Sequence, residues 1–385
     1  MTSHRRRLLM LAGMGAALGP QPQAVQPAAA KPVPLAPRTL VFPRDFGSHP
    51  DLRTEWWYIT GHCTTGNAGA VRDFGFQLTF FRVRVDNTQK MASRFAARQL
   101  LFAHAAVTDV QGKHFWHAQR IARQGFDVAA ASEQDTGIRL HDWSLVRQGA
   151  AYQARISATD FGLRLDFTPT QGVLLQGSNG LSRKGPEAEQ ASYYYSQPQL
   201  ALQGEIQVQG QRFAAQGEAA RTANSAFTPG RGAAWLDHEW SDALLHPDAV
   251  GWDWIGINLF DGSALTAFQM RTKAGRALWD GGSFRHPQSD GAARRYAFAP
   301  SEVIFQALRG WKSPQTQTTY PVEWVVRTPA DYYVVKAVLD NQELDSRNST
   351  GAIYWEGLCD LFNSNRQRVG RGYLEMTGYA KPLVL

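Results

Sequence analysis

The chain has 385 residues, of which 43% are hydrophobic and 19% charged, and a formal net charge of +7. That length exceeds what one core usually supports, so two domains are expected. There is no run of Lys and Arg with interleaved aromatics, which sets a nucleic-acid partner aside, while 12 Trp, 12 Tyr and 20 Phe suit strands and favour an all-β fold.

The first thirty residues read as an export signal. Arg5-Arg6-Arg7 precedes a short apolar run from Leu8 to Leu18, then Pro20, Pro22 and Ala28-Ala29-Ala30. A basic start, an apolar stretch and a small-residue end define such a signal, and the paired arginines give it a twin-arginine character. Removing three arginines leaves a charge of 7 − 3 = +4. The run is too short to span a membrane, so the expected location is periplasmic or secreted.

Residues 31–41 are Pro- and Ala-rich and read as an extended leader. From Thr54 the pattern has period two, and one segment occurs twice. His49-Pro50-Asp51, Glu55-Trp56-Trp57-Tyr58-Ile59 and Phe76-Gln77 return as His246-Pro247-Asp248, Trp252-Asp253-Trp254-Ile255 and Phe268-Gln269. The offset is 246 − 49 = 197 for the first motif and 268 − 76 = 192 for the last. A repeat that long is a duplicated domain rather than a solenoid unit.

Further along, residues 161–168 alternate apolar and polar at every step, as a half-buried strand does. Residues 178–199 show no clear period and read as a long loop of the kind that forms lids. Two strands, 200–209 and 211–219, meet at Gly210, and Thr228-Pro229-Gly230 with Gly232 marks a domain boundary. The domains are then 31–225 and 226–385. Strands follow at 263–272, 320–327, 331–339, 351–361 and 370–378. Many short strands with turns between them predict two tandem lipocalin-like antiparallel β-barrels, each of a size able to enclose one small ligand.

Asp237-His238-Glu239-Trp240 is the strongest candidate for chemistry. Sliding the second half back by 197 residues sets it over the apolar Leu40-Val41-Phe42-Pro43, so the architecture alone does not demand it. Asp237, His238 and Glu239 supply groups for proton transfer, and the flanking Trp240 can exclude water. In a strand Asp237 and Glu239 face one side, His238 and Trp240 the other, so one pair alone can enter a cavity. The plain reading is that His238 bonds a neighbouring carbonyl while the acids form surface pairs.

Trp252-Asp253-Trp254 poses the same choice of face. Either its rings fill a core or Asp253 faces a cavity as an acid. Glu55, Trp56 and Tyr58 in the first copy, and Tyr354 before Trp355-Glu356, are likewise candidates to line a ligand site. Trp57 and Trp254 also suit plain packing at the closed end of a lipocalin-type barrel. No metal-ligand spacing, phosphate loop, dinucleotide fingerprint or nucleophile elbow occurs, so no metal or cofactor is expected. Cys63 and Cys359, one per half, either pair across the halves or stay as buried thiols.

These motifs together, with Phe42-Pro43, Trp235-x-Asp237-His238-Glu239-Trp240 and Gly372-Tyr373-Leu374-Glu375-x-Thr377-Gly378-Tyr379, resemble the lipocalin-like carotenoid 1,2-hydratase family. More closely the chain resembles its secreted, AttH-like branch, often labelled predicted secreted hydrolase, whose members include a component of an ABC export system. The resemblance spans about residues 40 to 380. It implies two lipocalin-like barrels and an apolar or amphipathic ligand. It also implies cofactor-free addition of water to a C=C bond, with His238 and Trp240 in the active-site region and Asp253 as proton donor. The alternative it leaves open is a non-catalytic carrier working with a membrane export system.

Overall fold

Alternating apolar and polar residues become strands along almost the whole chain, because a pleated strand sends successive side chains to opposite faces. The computed structural model describes residues 33–65, 72–217, 232–243, 245–287 and 294–383. Among these lie two large antiparallel sheets, of 14 and 10 strands, with short 3-10 turns at Arg44–Phe46 and Asp86–Thr88 and no α-helix. The expected export signal, residues 1–30, lies outside the described residues.

In the first sheet Thr54–Thr65 pairs with Arg72–Arg84, which leads through Gln99–Asp109 to the edge strand His114–Arg123. On the other side Gln211–Gly217 leads through Ala191–Val208 and Phe161–Thr168 to the short strands ending at Ala129–Ala131. A tight turn with a Gly125↔Ala129 bridge joins the two edges. The second sheet is built likewise. Ala249–Leu259 sits between Ala264–Thr272 and Arg368–Met376, and Ala352–Phe362 follows.

Ala233–Ala243 belongs to the first sheet. It pairs with Thr54–Thr65 over Thr54↔Ser241 to His62↔Ala233 and with Ala191–Val208 on its other edge. The expected boundary at 225/226 falls in residues outside the description, but the sheets change over between Ala243 and Ala249.

Residues 178–199 are a correction. They are not a loop: Leu181–Arg183 and the 18-residue strand Ala191–Val208 occupy most of them. The first ten residues of the long strand are all buried, so no polar face exists to impose period two. Leu40 to Pro43 form no strand, so they are not the counterpart of residues 237–240.

Each sheet wraps its own core. Trp57, Ile59, Leu78, Phe80, Tyr195 and Trp240 lie in the first, and Ile255, Ile257, Val322, Trp324, Trp355 and Leu374 in the second. A third apolar cluster joins them, with Tyr58 and Trp235 from the first sheet against Trp254, Phe268, Leu358 and Tyr373 from the second. Trp57 and Trp254 therefore face different environments. The matching faces run one residue later, Glu55 with Asp253 and Trp56 with Trp254, because a one-residue slip flips every side chain. Cys63 and Cys359 are buried free thiols in the two separate barrels.

Candidate active site

Ala233–Ala243 positions two sets of groups at once. Its register sets His238 beside Trp57 and Trp240 beside Glu55, and sets Asp237 beside Tyr58 and Glu239 beside Trp56. The first set turns into the first barrel. The second faces a cavity of about 320 Å³ between the sheets.

Inside the barrel Glu55 is the hub. Oε1 accepts from His238 Nε2 at 2.9 Å and meets His49 Nδ1 at 2.7 Å, while Oε2 takes Arg82 Nε at 2.8 Å and Ser48 Oγ at 3.0 Å. His49 Nε2 continues to Asp45 at 3.0 Å, and its ring stacks on Trp240 at 3.9 Å. Burial on its own would raise Glu55, but hydrogen bonds from His238 and His49, then the charges of His238 and Arg82, hold the carboxyl well below the usual range. Burial is the main cause that lowers His238, to about 4, against the pull of Glu55. His238 is then neutral near pH 7, with Nε2–H donating to Glu55 and Nδ1 accepting from the Tyr195 hydroxyl at 3.1 Å.

His49, Glu55 and His238 also bring three metal-type donors within 4.8 Å of one another. Each is already held by a hydrogen bond to its neighbours, and Arg82 places a positive charge on the carboxylate a metal ion would need. The arrangement is a closed polar knot.

Asp253 occupies the matching place in the second barrel. It is fully buried and accepts from Gln269 Nε2 at 2.7 Å, Arg271 Nε at 3.0 Å and Tyr379 OH at 2.9 Å. Burial raises its carboxyl, and the Arg271 charge and the three hydrogen bonds oppose that. Asp253 does not line the cavity between the sheets. The structure thus separates the sequence candidates: His238 and Asp253 lie in two barrel interiors, with Trp240 beside His238. Asp237, Glu239, Trp56, Tyr58, Trp252 and Tyr354 meet around the cavity, and Glu55 touches its wall.

The cavity is mostly apolar. Trp56, Tyr58, Trp252, Trp254, Phe268 and Met270 supply its rings and aliphatic surface. Into it project Asp237 and Glu239 from one sheet, and Glu356 and Glu375 from the other. Asp237 accepts from Ser196 Oγ at 2.5 Å, Trp235 Nε1 at 2.7 Å and Tyr194 OH at 2.8 Å. Burial nevertheless pushes it up to about 7. Glu239 is paired with Lys184 at 3.0 Å and accepts from Ser192.

Glu356 and Glu375 are cross-strand partners, and like charges so placed repel. Burial, then the charges of Asp237 and Glu239, raise Glu375 to about 7, although Trp252 Nε1 donates to it at 3.0 Å. Burial and the Glu375 charge hold Glu356 well above the carboxylate range. Glu356 Oε1 and the Tyr58 hydroxyl are both buried and face one another without closing a hydrogen bond. Burial and repulsion from Glu375 therefore favour the protonated form of Glu356, which makes it a candidate acid beside the Tyr58 hydroxyl.

Sequence reasoning raised Glu356 only within Tyr354-Trp355-Glu356, without choosing it as a site residue, and missed Glu375 and Lys184. The signal was a carboxylate within an apolar stretch of strand: Glu356 stands between Trp355 and Gly357, followed by Leu358. Sequence alone did not show which strands meet.

An AttH-like family model matches residues 33–379. The chain belongs to the AttH-like family. Among solved structures, an AttH candidate from Nitrosomonas europaea is 43% identical, with a TM-score of 0.77 over 90% of this chain and 99% of that one. More distant matches share the fold of this AttH-like chain. Kievitone hydratase from Nectria haematococca is 12% identical, with a TM-score of 0.62 over 85% of this chain and 89% of its own. CghA, solved with Sch210972, is 10% identical, with a TM-score of 0.51 over 91% and 96%. No curated protein matches the chain.

Proposed function

We propose that this protein binds an apolar or amphipathic small molecule between its barrels and adds water to it, or removes water from it, by acid/base catalysis. The observation that carries the reading is Glu356: a buried carboxyl lining an aromatic cavity, its Oε1 without a hydrogen bond, held well above the usual carboxylate range by burial and the Glu375 charge, with Glu375 and Asp237 raised to about 7 beside it. Perturbed acids gathered in a cleft are the mark of proton-handling sites. The fold is shared with a hydratase, which adds an analogy of fold only.

In the hydration direction the Glu356 proton passes to one carbon of the C=C bond, and the π electrons form the new C–H bond. The carbocation left on the other carbon lies among the faces of Trp56, Trp252 and Trp254, which favour positive charge. Water adds to that carbon and its released proton goes to the Glu375 or Asp237 carboxylate. Return of a proton to Glu356 from its strand partner Glu375 resets the site. Export rests on the pattern of residues 1–30.

The test is incubation with a panel of isoprenoid and other apolar alkenes in H2(18)O, with mass analysis of extracted ligand. Hydration incorporates one labelled oxygen, and Glu356→Gln lowers that rate by about 10² to 10⁴ while keeping the fold. Ligand bound but recovered unlabelled throughout would make the protein a carrier instead, serving a membrane export system.

A further inference from the structure

The cavity is lined by five acids, Glu55, Asp237, Glu239, Glu356 and Glu375, and an aromatic wall. Four cations line it, and the two buried ones are paired with acids. Lys184 is bound to Glu239 and Arg82 to Glu55, while Arg53 and Lys381 are exposed and lie where the cavity meets solvent. Two buried polar atoms aimed into this space, Glu356 Oε1 and Tyr58 OH, have no partner.

A small metal ion does not fit the pattern. Three ligand atoms that serve one ion must converge, and among the described residues the one group that does so is His49, Glu55 and His238, inside the first barrel. Glu356 and Glu375 are neighbours, but the cavity acids bring no three ligand atoms together, and indole and phenyl rings share the wall with them. That spacing suits a cation as large as a substituted ammonium, whose charge is diffuse and whose surface is apolar.

The protein already contains one example of the contact. The Lys184 ammonium rests 4.4 Å from the Phe268 ring centroid and 4.6 Å from that of Tyr194, with Glu239 at 3.0 Å. Phe268 and Glu239 both line the cavity. The wall thus accepts an ammonium between a ring and a carboxylate.

We infer that the cavity selects an organic cation, an amine or quaternary ammonium group on an apolar body, with the charged group seated beside Glu356 and Glu375, whose protons it displaces on binding, among the Trp56, Trp252 and Trp254 rings. The inference rests on the reading that the inter-barrel cavity is the ligand site, and it names the class of ligand. It also accords with the carbocation that hydration would generate at the same spot.

The experiment compares three probes of one chain length, octyltrimethylammonium, octan-1-ol and octanoate, by titration calorimetry on the full chain and by quenching of tryptophan fluorescence. The expected order is ammonium first, by at least about tenfold over the alcohol, with octanoate weakest. Glu356→Gln and, separately, Glu375→Gln lower the preference for ammonium over alcohol by at least about threefold. The probe series on the unaltered chain decides the matter even if a variant does not fold. Alcohol binding as well as the ammonium, or octanoate binding best, overturns the charge inference and leaves the cavity as the ligand site. Failure of all three probes overturns the cavity reading and this inference together.

Discussion

At the scale of single residues, the carboxylates divide into two electrostatic types, and each type has its own pH signature. Glu375 is raised to about 7 from an ordinary value near 4.5, so the folded state prefers it protonated. Its contribution to stability is fully present below about pH 4.5 and is lost as pH rises through about 7. Glu375→Gln keeps an oxygen for Trp252 and removes the titration. Its melting temperature should therefore rise relative to the parent between pH 4.5 and 7 and hold that gain above; a difference flat across that range would contradict the assignment. Glu55 is the reverse case, ionised and enclosed. Glu55→Gln leaves the Arg82 guanidinium buried without its counter-charge, at a cost of ~3–5 kcal/mol. Denaturant unfolding at pH 7 would read that loss directly.

At the scale of elements, Ala233–Ala243 is the piece most easily misassigned. The turn residues from Thr228 to Gly232 announce a break in the chain, and the break is real as punctuation, yet the strand after it pairs backwards into the first sheet. Amides of residues 234–241 have strand partners on both edges, so they should exchange with solvent as slowly as Thr54–Thr65, and in the same cooperative unit. Exchange in step with Ala249–Leu259 would instead tie the strand to the second barrel. The reasons for success and failure in reading such elements are physical. Phe161–Thr168 was legible because one face is wet, so burial alternates at every step. Of Ala191–Val208, the part from Leu200 was legible as a strand, but the residues before it were not, because the first ten are all buried and such a stretch carries no alternation to find. The alternation of 237–240 was legible too, but not which face met the ligand space, since that depends on a second sheet 100 or so residues away in sequence.

At the scale of the whole molecule, the two sheets share more than a seam of apolar side chains. Tyr354 OH meets His104 Nδ1 at 2.8 Å, Thr108 donates to Gln342 at 2.8 Å, and Gln199 donates to the Leu259 and Ser263 carbonyls at 2.9 Å each. Burial lowers His104 to about 3, so it is neutral and makes these contacts without a charge to solvate. A chain of residues 33–225 lacks the strand that links Thr54–Thr65 to Ala191–Val208, and should give no cooperative thermal transition by circular dichroism, whereas residues 33–245 should melt cooperatively. Equal behaviour of the two would mean that the first barrel stands without Ala233–Ala243. The duplicated pattern in the sequence was enough to foresee two barrels, but a duplicated barrel offers two interiors as obvious ligand sites, and here the open space lies between them. That arrangement leaves a mark on how Ala233–Ala243 tolerates change. Its odd positions Asp237 and Glu239 line the cavity, with Trp235 donating to Asp237, and its even positions, Leu236, His238 and Trp240, turn into the barrel. In a saturation mutagenesis scan, loss of activity and loss of abundance should therefore alternate residue by residue along this one strand.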